Sequence, residues 1–192
     1  MTMHRAALAL GGNMGDVAHA FVAAFDALEA GGRMRVIARS NVWRTPPWGK
    51  TDQPDFLNMC ALVETQLSPR DLLSHCLDVE TRAGRVRLER WGPRLIDIDV
   101  LAYDDVRWDD EALTLPHPRM RERAFVLIPL AQIAPDWMID GVRVDALAAV
   151  AGSAGMQVDE AASANLSSSR RRPGSTEGGE LEACRGWRPS PP

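Results

Sequence analysis

The sequence predicts a ferredoxin-like α/β fold: a βαββαβ core whose mostly antiparallel sheet has helices packed on one side and carries long loops. Three observations point there. Short apolar or alternating runs of strand length are separated by two longer segments of helical period. Both helical segments carry their own start and stop residues. The proline- and glycine-rich sequence is gathered into a few loops, of which "TPPWGKTDQPD" is the clearest.

The elements follow in order. "HRAALALGG" is a short apolar strand ending in glycines. In "DVAHAFVAAFDALEAGG", Val17, Phe21, Ala24, Phe25 and Leu28 share one helical face, and Gly31 closes the helix. "MRVIARSNVW" alternates as a single strand, with Val36, Ala38 and Ser40 opposite Ile37, Arg39 and Asn41. "FLNMCALVETQL" is a second long strand beyond the loop. "SPRDLLSHCLDVETRAG" then opens on Ser68 as N-cap, with Pro69 at the first helical position and Asp71 in the first turn, and Gly84 ends it. "RLIDIDVLAY" is the next strand, followed by a shorter strand pair and a helical region around "ERAFVLIPLAQI". A fold of this plan hosts RNA-binding modules, metal carriers and enzymes, so function has to come from the site.

Bulk properties narrow the classes. The chain has 192 residues, 45% hydrophobic and 25% charged, which suits one soluble domain with an appendage. Residues 1–151 are expected to form that domain. From 152 to 192 the sequence turns to Ser, Arg, Gly and Pro without an apolar period, and a disordered tail is expected. A net charge of −4 argues against a general nucleic-acid coat. No apolar run reaches the roughly 20 residues of a membrane helix. Cys60, Cys76 and Cys184 show no CxxC spacing, which points to a reducing cytoplasm and away from zinc.

The chemistry is concentrated in "RWGPRLIDIDVL". A buried strand has little reason to carry two carboxylates, since each costs heavily on leaving water. Asp97 and Asp99 are two apart, so they share one face of the strand while Ile96, Ile98 and Val100 pack on the other. Like charges this close call for a cation, and magnesium favours carboxylate oxygens completed by water and phosphate. Pairing with neighbouring arginines would satisfy a bare DxD equally well. Upstream, "RAGRVRLERWGPR" sets five arginines, Arg82, Arg85, Arg87, Arg90 and Arg94, against a single Glu89, a composition suited to a polyphosphate. Glu80 falls on the apolar side of its helix, where answering an arginine is its simplest role. Phe56 and Asn58 share a strand face, and Phe125 follows "PHPRMRERA". Two such rings could sandwich a planar heterocycle whose edge the Asn58 amide reads, although each Phe alone would suit a core. His117 sits between two prolines in a rigid loop.

Together with "GGNMGD", "RTPPWGKTDQPDFLN" and "PHPRMRERAFVLIPL", in this order, the run resembles the 6-hydroxymethyl-7,8-dihydropterin pyrophosphokinase family over about residues 5 to 150. The resemblance implies transfer of pyrophosphate from ATP to the pterin hydroxymethyl group in the folate pathway, releasing AMP. It implies that Asp97 and Asp99 hold two Mg2+ ions and that Arg85 and Arg94 act on the transferring phosphates, supported by Arg87. It places Glu80, Thr114, His117 and Arg123 in the ATP site. Thr45, Pro46, Trp48, Phe56, Asn58 and Phe125 would form the pterin pocket, with Trp91 closing over it. This chain departs from the family's usual residues at Gly12 (Ser), at Phe56 (often Tyr) and at Trp48 (a smaller apolar residue). The partners implied are small molecules only, for a cytoplasmic monomer with no nucleic acid and no membrane. Two other classes, a ferredoxin-like RNA-binding module and another metal-dependent phosphotransferase or nuclease, would use parts of the same pattern.

Overall fold

In the computed structural model, which describes residues 2–47, 51–83 and 94–169, the longest apolar runs lie at the centre of the sheet. β1 (His4–Gly12) and β4 (Phe56–Thr65) pair antiparallel from His4↔Thr65 to Gly12↔Leu57. β5 (Asp97–Tyr103) lies antiparallel on the far side of β1, its register shifting between Ala7 and Leu8. The other side of β4 takes β2 (Met34–Arg39) and β3 (Trp43–Thr45). This is the ferredoxin-like strand arrangement the sequence predicts.

Its first helical face forms as expected. α1 (Val17–Glu29) buries Val17, Ala20, Phe21, Ala24, Phe25 and Leu28, and Asp16 caps it by accepting the His19 N–H at 3.0 Å. α2 (Pro69–Arg82) starts on Ser68, whose hydroxyl oxygen accepts from the Asp71 N–H. Leu8, Leu10, Val63, Ile98 and Val100 meet these helices in one core with Phe21, Phe25 and Leu72.

Three expectations need correction. The run "MRVIARSNVW" is two strands, not one, because the register slips between Val36 and Ala38 and the ladder changes at Ser40. There the Ser40 N–H donates to the Cys60 carbonyl while the Ser40 hydroxyl accepts the Cys60 N–H, both at 2.9 Å, so a side chain stands in for a backbone carbonyl. Helices also cover both sheet faces rather than one. After the hairpin of β6 (Trp108–Asp109) and β7 (Thr114–Leu115), α3 (Ala124–Ile133) packs on the second face. A hairpin of β8 (Met138–Ile139) and β9 (Val142–Arg143) leads into α4 (Val144–Ala151), and α3 and α4 bury Ala7, Cys60, Leu62 and Leu101 beneath them. The run is apolar all round, as a helix packed between a sheet and another helix requires.

The third correction concerns the chain's end. The fold does not stop at residue 151: β10 (Gln157–Val158) pairs with β3, and α5 (Glu160–Ser169) lies against α1 with Ala162 and Leu166 in the first core. Only residues 170–192 of the expected tail, Cys184 among them, lie outside the described residues. Cys60 and Cys76 are buried free thiols, both pushed well above the usual thiol range by burial. Among the described residues no helix is long and apolar enough to cross a membrane.

Candidate active site

The second sheet face is only half covered. Rows of paired residues cross it: Cys60, Ala9 and Asp99 form one row, and Asn58, Gly11 and Asp97 form the next. Neighbouring strands are about 4.8 Å apart, so Asn58 and Asp97 stand roughly 10 Å from each other across Gly11. Gly11 matters because it has no side chain: a Cβ there would come within 2.7 Å of the Asn58 Oδ1. Gly12 is tighter still, since a Cβ there would run into the Leu95 carbonyl oxygen, and the Ser common at this place in the family would need Leu95 to shift. Asn58 and Gly11 are buried in this row, while Asp97 and the neighbouring Asp99 stay partly exposed. The candidate cleft therefore has an amide at one end and a carboxylate pair at the other.

At the carboxylate end, Asp97 and Asp99 do share a face, with Ile98 and Val100 buried behind them. Asp99 keeps 39% of its side-chain surface exposed although protein surrounds its base, so water or an ion can reach it. Burial, and then the neighbouring Asp97 charge, raise its pKa, while His117, Arg123 and Arg94 pull the other way. Arg94 places Nε 3.2 Å from an Asp97 oxygen, and Arg123 places Nη1 3.4 Å from an Asp99 oxygen. Neither guanidinium is saturated. The Nε groups of Arg94 and Arg123 are buried with no hydrogen-bond partner among the described residues, the Arg94 contact being close enough for charge pairing but off the hydrogen-bond line. Buried N–H donors of this kind need an acceptor, and an oxyanion is one that could serve.

His117 completes this end. Its backbone N–H donates to the Leu101 carbonyl at 2.8 Å, and its Nδ1 accepts the Arg119 N–H at 3.2 Å. A ring that accepts at Nδ1 carries its proton at Nε2, so neutral His117 offers one donor. Burial lowers its pKa, while the Asp99 carboxylate pulls the other way. Glu80 is 2% exposed and accepts the Ile98 N–H at 2.6 Å, holding the outer edge of β5 between the two aspartates. That contact is structural, unlike the ATP contact the resemblance implies. Thr114 lies on β7, where its hydroxyl donates to Asp109 rather than reaching the aspartate pair.

At the other end, Asn58 donates from Nδ2 to the Thr45 hydroxyl at 2.7 Å. Thr45 pairs with Phe56 across β3 and β4, and Pro46 follows directly. Phe56 is 8% exposed yet joins neither core cluster, and the Arg94 guanidinium carbon lies 5.4 Å from its ring centre. Phe125 is half-buried at the start of α3, with Arg123 5.7 Å from its ring centre. The structure thus brings together Asp97, Asp99, Arg94, Arg123, His117 and Glu80 at one end and Thr45, Phe56 and Asn58 at the other. Trp48, Arg85, Arg87 and Trp91 lie outside the described residues.

Asn13, within "GGNMGD", links the ends, a role the sequence does not mark. Its backbone N–H donates to the Arg94 carbonyl at 2.9 Å and its Oδ1 accepts the Arg94 N–H at 3.0 Å. Its Nδ2 donates to Gln53 Oε1 and to the Pro54 carbonyl, both at 3.1 Å. The only available signal was its place after two glycines, which marks a turn residue equally well.

Two carboxylates make an incomplete metal cage, and among the described residues no group of three or more His, Cys, Asp or Glu could hold a metal. Magnesium fits such a pair, because it keeps several waters and takes phosphate oxygens as its remaining ligands. The exposed side of Asp99 and the Arg94 and Arg123 Nε donors are the groups that could meet such an ion and its phosphate.

A family model described as 7,8-dihydro-6-hydroxymethylpterin-pyrophosphokinase (HPPK) matches residues 7–135. A 2-amino-4-hydroxy-6-hydroxymethyldihydropteridine pyrophosphokinase of Methylorubrum extorquens is 55% identical over 142 residues, 74% of this chain and 90% of its own. The enzyme of that name from Synechocystis is 42% identical over 135 residues, 70% of this chain and 69% of its own. Among solved structures, a Plasmodium falciparum HPPK-DHPS shares the fold with a TM-score of 0.60 at 14% identity, covering 77% of this chain and 43% of that one. With the motif order, the half-open sheet face and these relatives in agreement, the chain belongs to the 7,8-dihydro-6-hydroxymethylpterin-pyrophosphokinase family.

Proposed function

We propose that this cleft moves the pyrophosphoryl group of ATP onto the hydroxymethyl group of 6-hydroxymethyl-7,8-dihydropterin, the folate-biosynthetic step of its family. The observation that carries the reading is that one sheet face holds a carboxylate and arginine end and an aromatic and amide end, with Asn58 and Asp97 joined through Gly11 in one cross-strand row. The hydroxymethyl oxygen forms a bond to the β-phosphorus as the bond to the α,β-bridging oxygen breaks, and AMP leaves with that oxygen. Positioning and charge neutralisation do most of the work in such transfers.

Two Mg2+ ions held by Asp97 and Asp99 would supply neutralisation of the phosphate charge. Arg94 and Arg123 turn their unpaired Nε donors to phosphate oxygens, and His117 donates from Nε2. Asp97 accepts a hydrogen bond from the attacking hydroxyl, whose proton ends in solvent. Asn58, Thr45, Phe56 and Phe125 hold the pterin, and Pro46 forms its wall. By resemblance, Arg85 and Arg87 add phosphate contacts, while Trp48 and Trp91 complete the pterin side. Glu80 and Thr114 border the ATP site, Glu80 through the strand it holds. The chain works on small molecules as a cytoplasmic monomer, without nucleic-acid or membrane partners, in keeping with its net charge of −4. An RNA-binding sheet would display its aromatics, whereas Phe56, the one aromatic residue of β1 and β4, is 8% exposed.

Phe56→Ala and Phe125→Ala test the pocket. Each should weaken pterin binding at least about tenfold, since stacking adds roughly 0.5–1.5 kcal/mol to the lost burial. Binding of a non-hydrolysable ATP analogue should change little. Calorimetry showing equal losses for both ligands would identify the rings as core and defeat the assignment. Gly11→Ala should act on the same ligand by pressing its Cβ on the Asn58 amide. Pterin affinity unchanged in that variant would remove Asn58 from the site.

A further inference from the structure

The segment after α4 lies beyond the stretch the family model matches, yet it touches the pterin side of the cleft. β3 has only three residues, and its inner edge pairs with β4 so that Thr45 stands opposite Phe56. So short a strand with one neighbour would be marginal. Its outer edge is taken by β10, with Gln157 opposite Arg44 and Val158 opposite Trp43. Just beyond, the Asp159 N–H donates to the Val42 carbonyl at 2.8 Å, and the Val42 N–H donates to the Ser163 hydroxyl at 3.0 Å. Arg44 donates to Asp159 Oδ2 at 2.5 Å.

The turn leading into β10 reaches the wall itself. Gly155 has φ of +74°, and a Cβ there would stand 3.2 Å from Pro46 Cγ. Beside β3 an open surface cleft of about 430 Å3 is lined by Arg44, Leu57 and Pro54 on one side and by Asp16, Asp159, Ala162 and Asn165 on the other. The outer edge of β3 is thus held by its pairing with β10 and by the Arg44–Asp159 pair.

We propose that residues 155–163 are a positioning brace for the pterin-binding wall, holding Pro46 through Gly155 and Arg44 and Val42 through Asp159 and Ser163. This rests on the reading of Thr45, Pro46, Phe56 and Asn58 as the pterin pocket. The brace touches neither Asp97, Asp99 nor Arg123, so it acts on one substrate and not on the other.

The test uses Gly155→Ala and Asp159→Asn in the full chain, with Phe56→Ala as the control for the pocket. Asparagine still caps α5 but removes the charge that Arg44 pairs with. Hydroxymethylpterin affinity is measured with magnesium and a non-hydrolysable ATP analogue present, analogue affinity is measured alone, and melting is followed on the same samples. Both brace variants are expected to weaken pterin about three- to tenfold, with analogue affinity held within about twofold. Unchanged pterin affinity in the two variants, or equal weakening of both ligands with loss of melting temperature, overturns the brace. If Gly155→Ala does not fold, Asp159→Asn decides by the same criterion. Normal pterin binding by Phe56→Ala would overturn the pocket reading and the brace with it, whereas a weakened Phe56→Ala beside normal brace variants overturns the brace alone.

Discussion

Asp97→Ala and Asp99→Ala should each lower pyrophosphoryl transfer by about 10³-fold or more, with melting temperatures within a few degrees of the unsubstituted protein. The activity loss follows from the chemistry of the site. Magnesium is held by one or two carboxylates completed by water and phosphate oxygens, and removing either aspartate would halve the carboxylate set of a two-ion site. The fold should survive because these side chains point away from the core that Ile98 and Val100 fill. The outer edge of β5 is held by Glu80 on the Ile98 N–H and by the His117 N–H on the Leu101 carbonyl, not by the aspartates. Asp99→Ala does leave Arg123 without its carboxylate at 3.4 Å, in a side chain only 15% exposed. Asp99→Asn keeps the shape and removes only the charge, so it separates catalysis from stability. Turnover near normal in either alanine variant at moderate magnesium would sink the metal assignment.

The aspartate pair was legible because strand geometry leaves no freedom: a period of two puts residues 97 and 99 on one side whatever the rest of the chain does. The same local rules announced α1 and α2, whose caps and apolar faces lie within one segment. What stayed hidden depends on contacts distant in sequence. The Arg94–Asn13 pair spans 81 residues, and nothing near Asn13 distinguishes a hub from a turn residue. The position of Glu80 on an apolar helix face was visible, but its partner is a backbone N–H of β5, which carries no side-chain signal. The break in "MRVIARSNVW" depends on a serine hydroxyl taking a backbone role against β4. The second helical layer was half visible, since "AFVLIPLAQI" is too apolar for a surface helix, but nothing local says which sheet face it covers.

A stop codon after Gly152 should lower the melting temperature by roughly 10 °C, where the sequence alone suggested no effect. Composition misled because residues 152–155 are small and turn-forming, and α5 is rich in Ala and Ser with only Ala162 and Leu166 buried. Those two residues nonetheless belong to the main core, and losing a buried Leu costs about 2–5 kcal/mol, several degrees for a domain of this size. The cut also strips β10 from β3 and leaves Arg44 without Asp159. That part should depend on pH. The Ala162 N–H and then Arg44 hold Asp159 below the usual carboxylate range, so its contribution is present above the ordinary aspartate pKa. It is lost as pH falls through the lower folded-state value, and the gap between full-length and truncated protein should narrow in acid. A stop after Ser169 keeps β10 and α5 and tests the remaining tail: melting temperature and transfer should both match the full chain. Thermal melts of the two truncations across pH decide the matter. A Gly152 truncation as stable as the full chain would show that β10 and α5 contribute nothing to the fold.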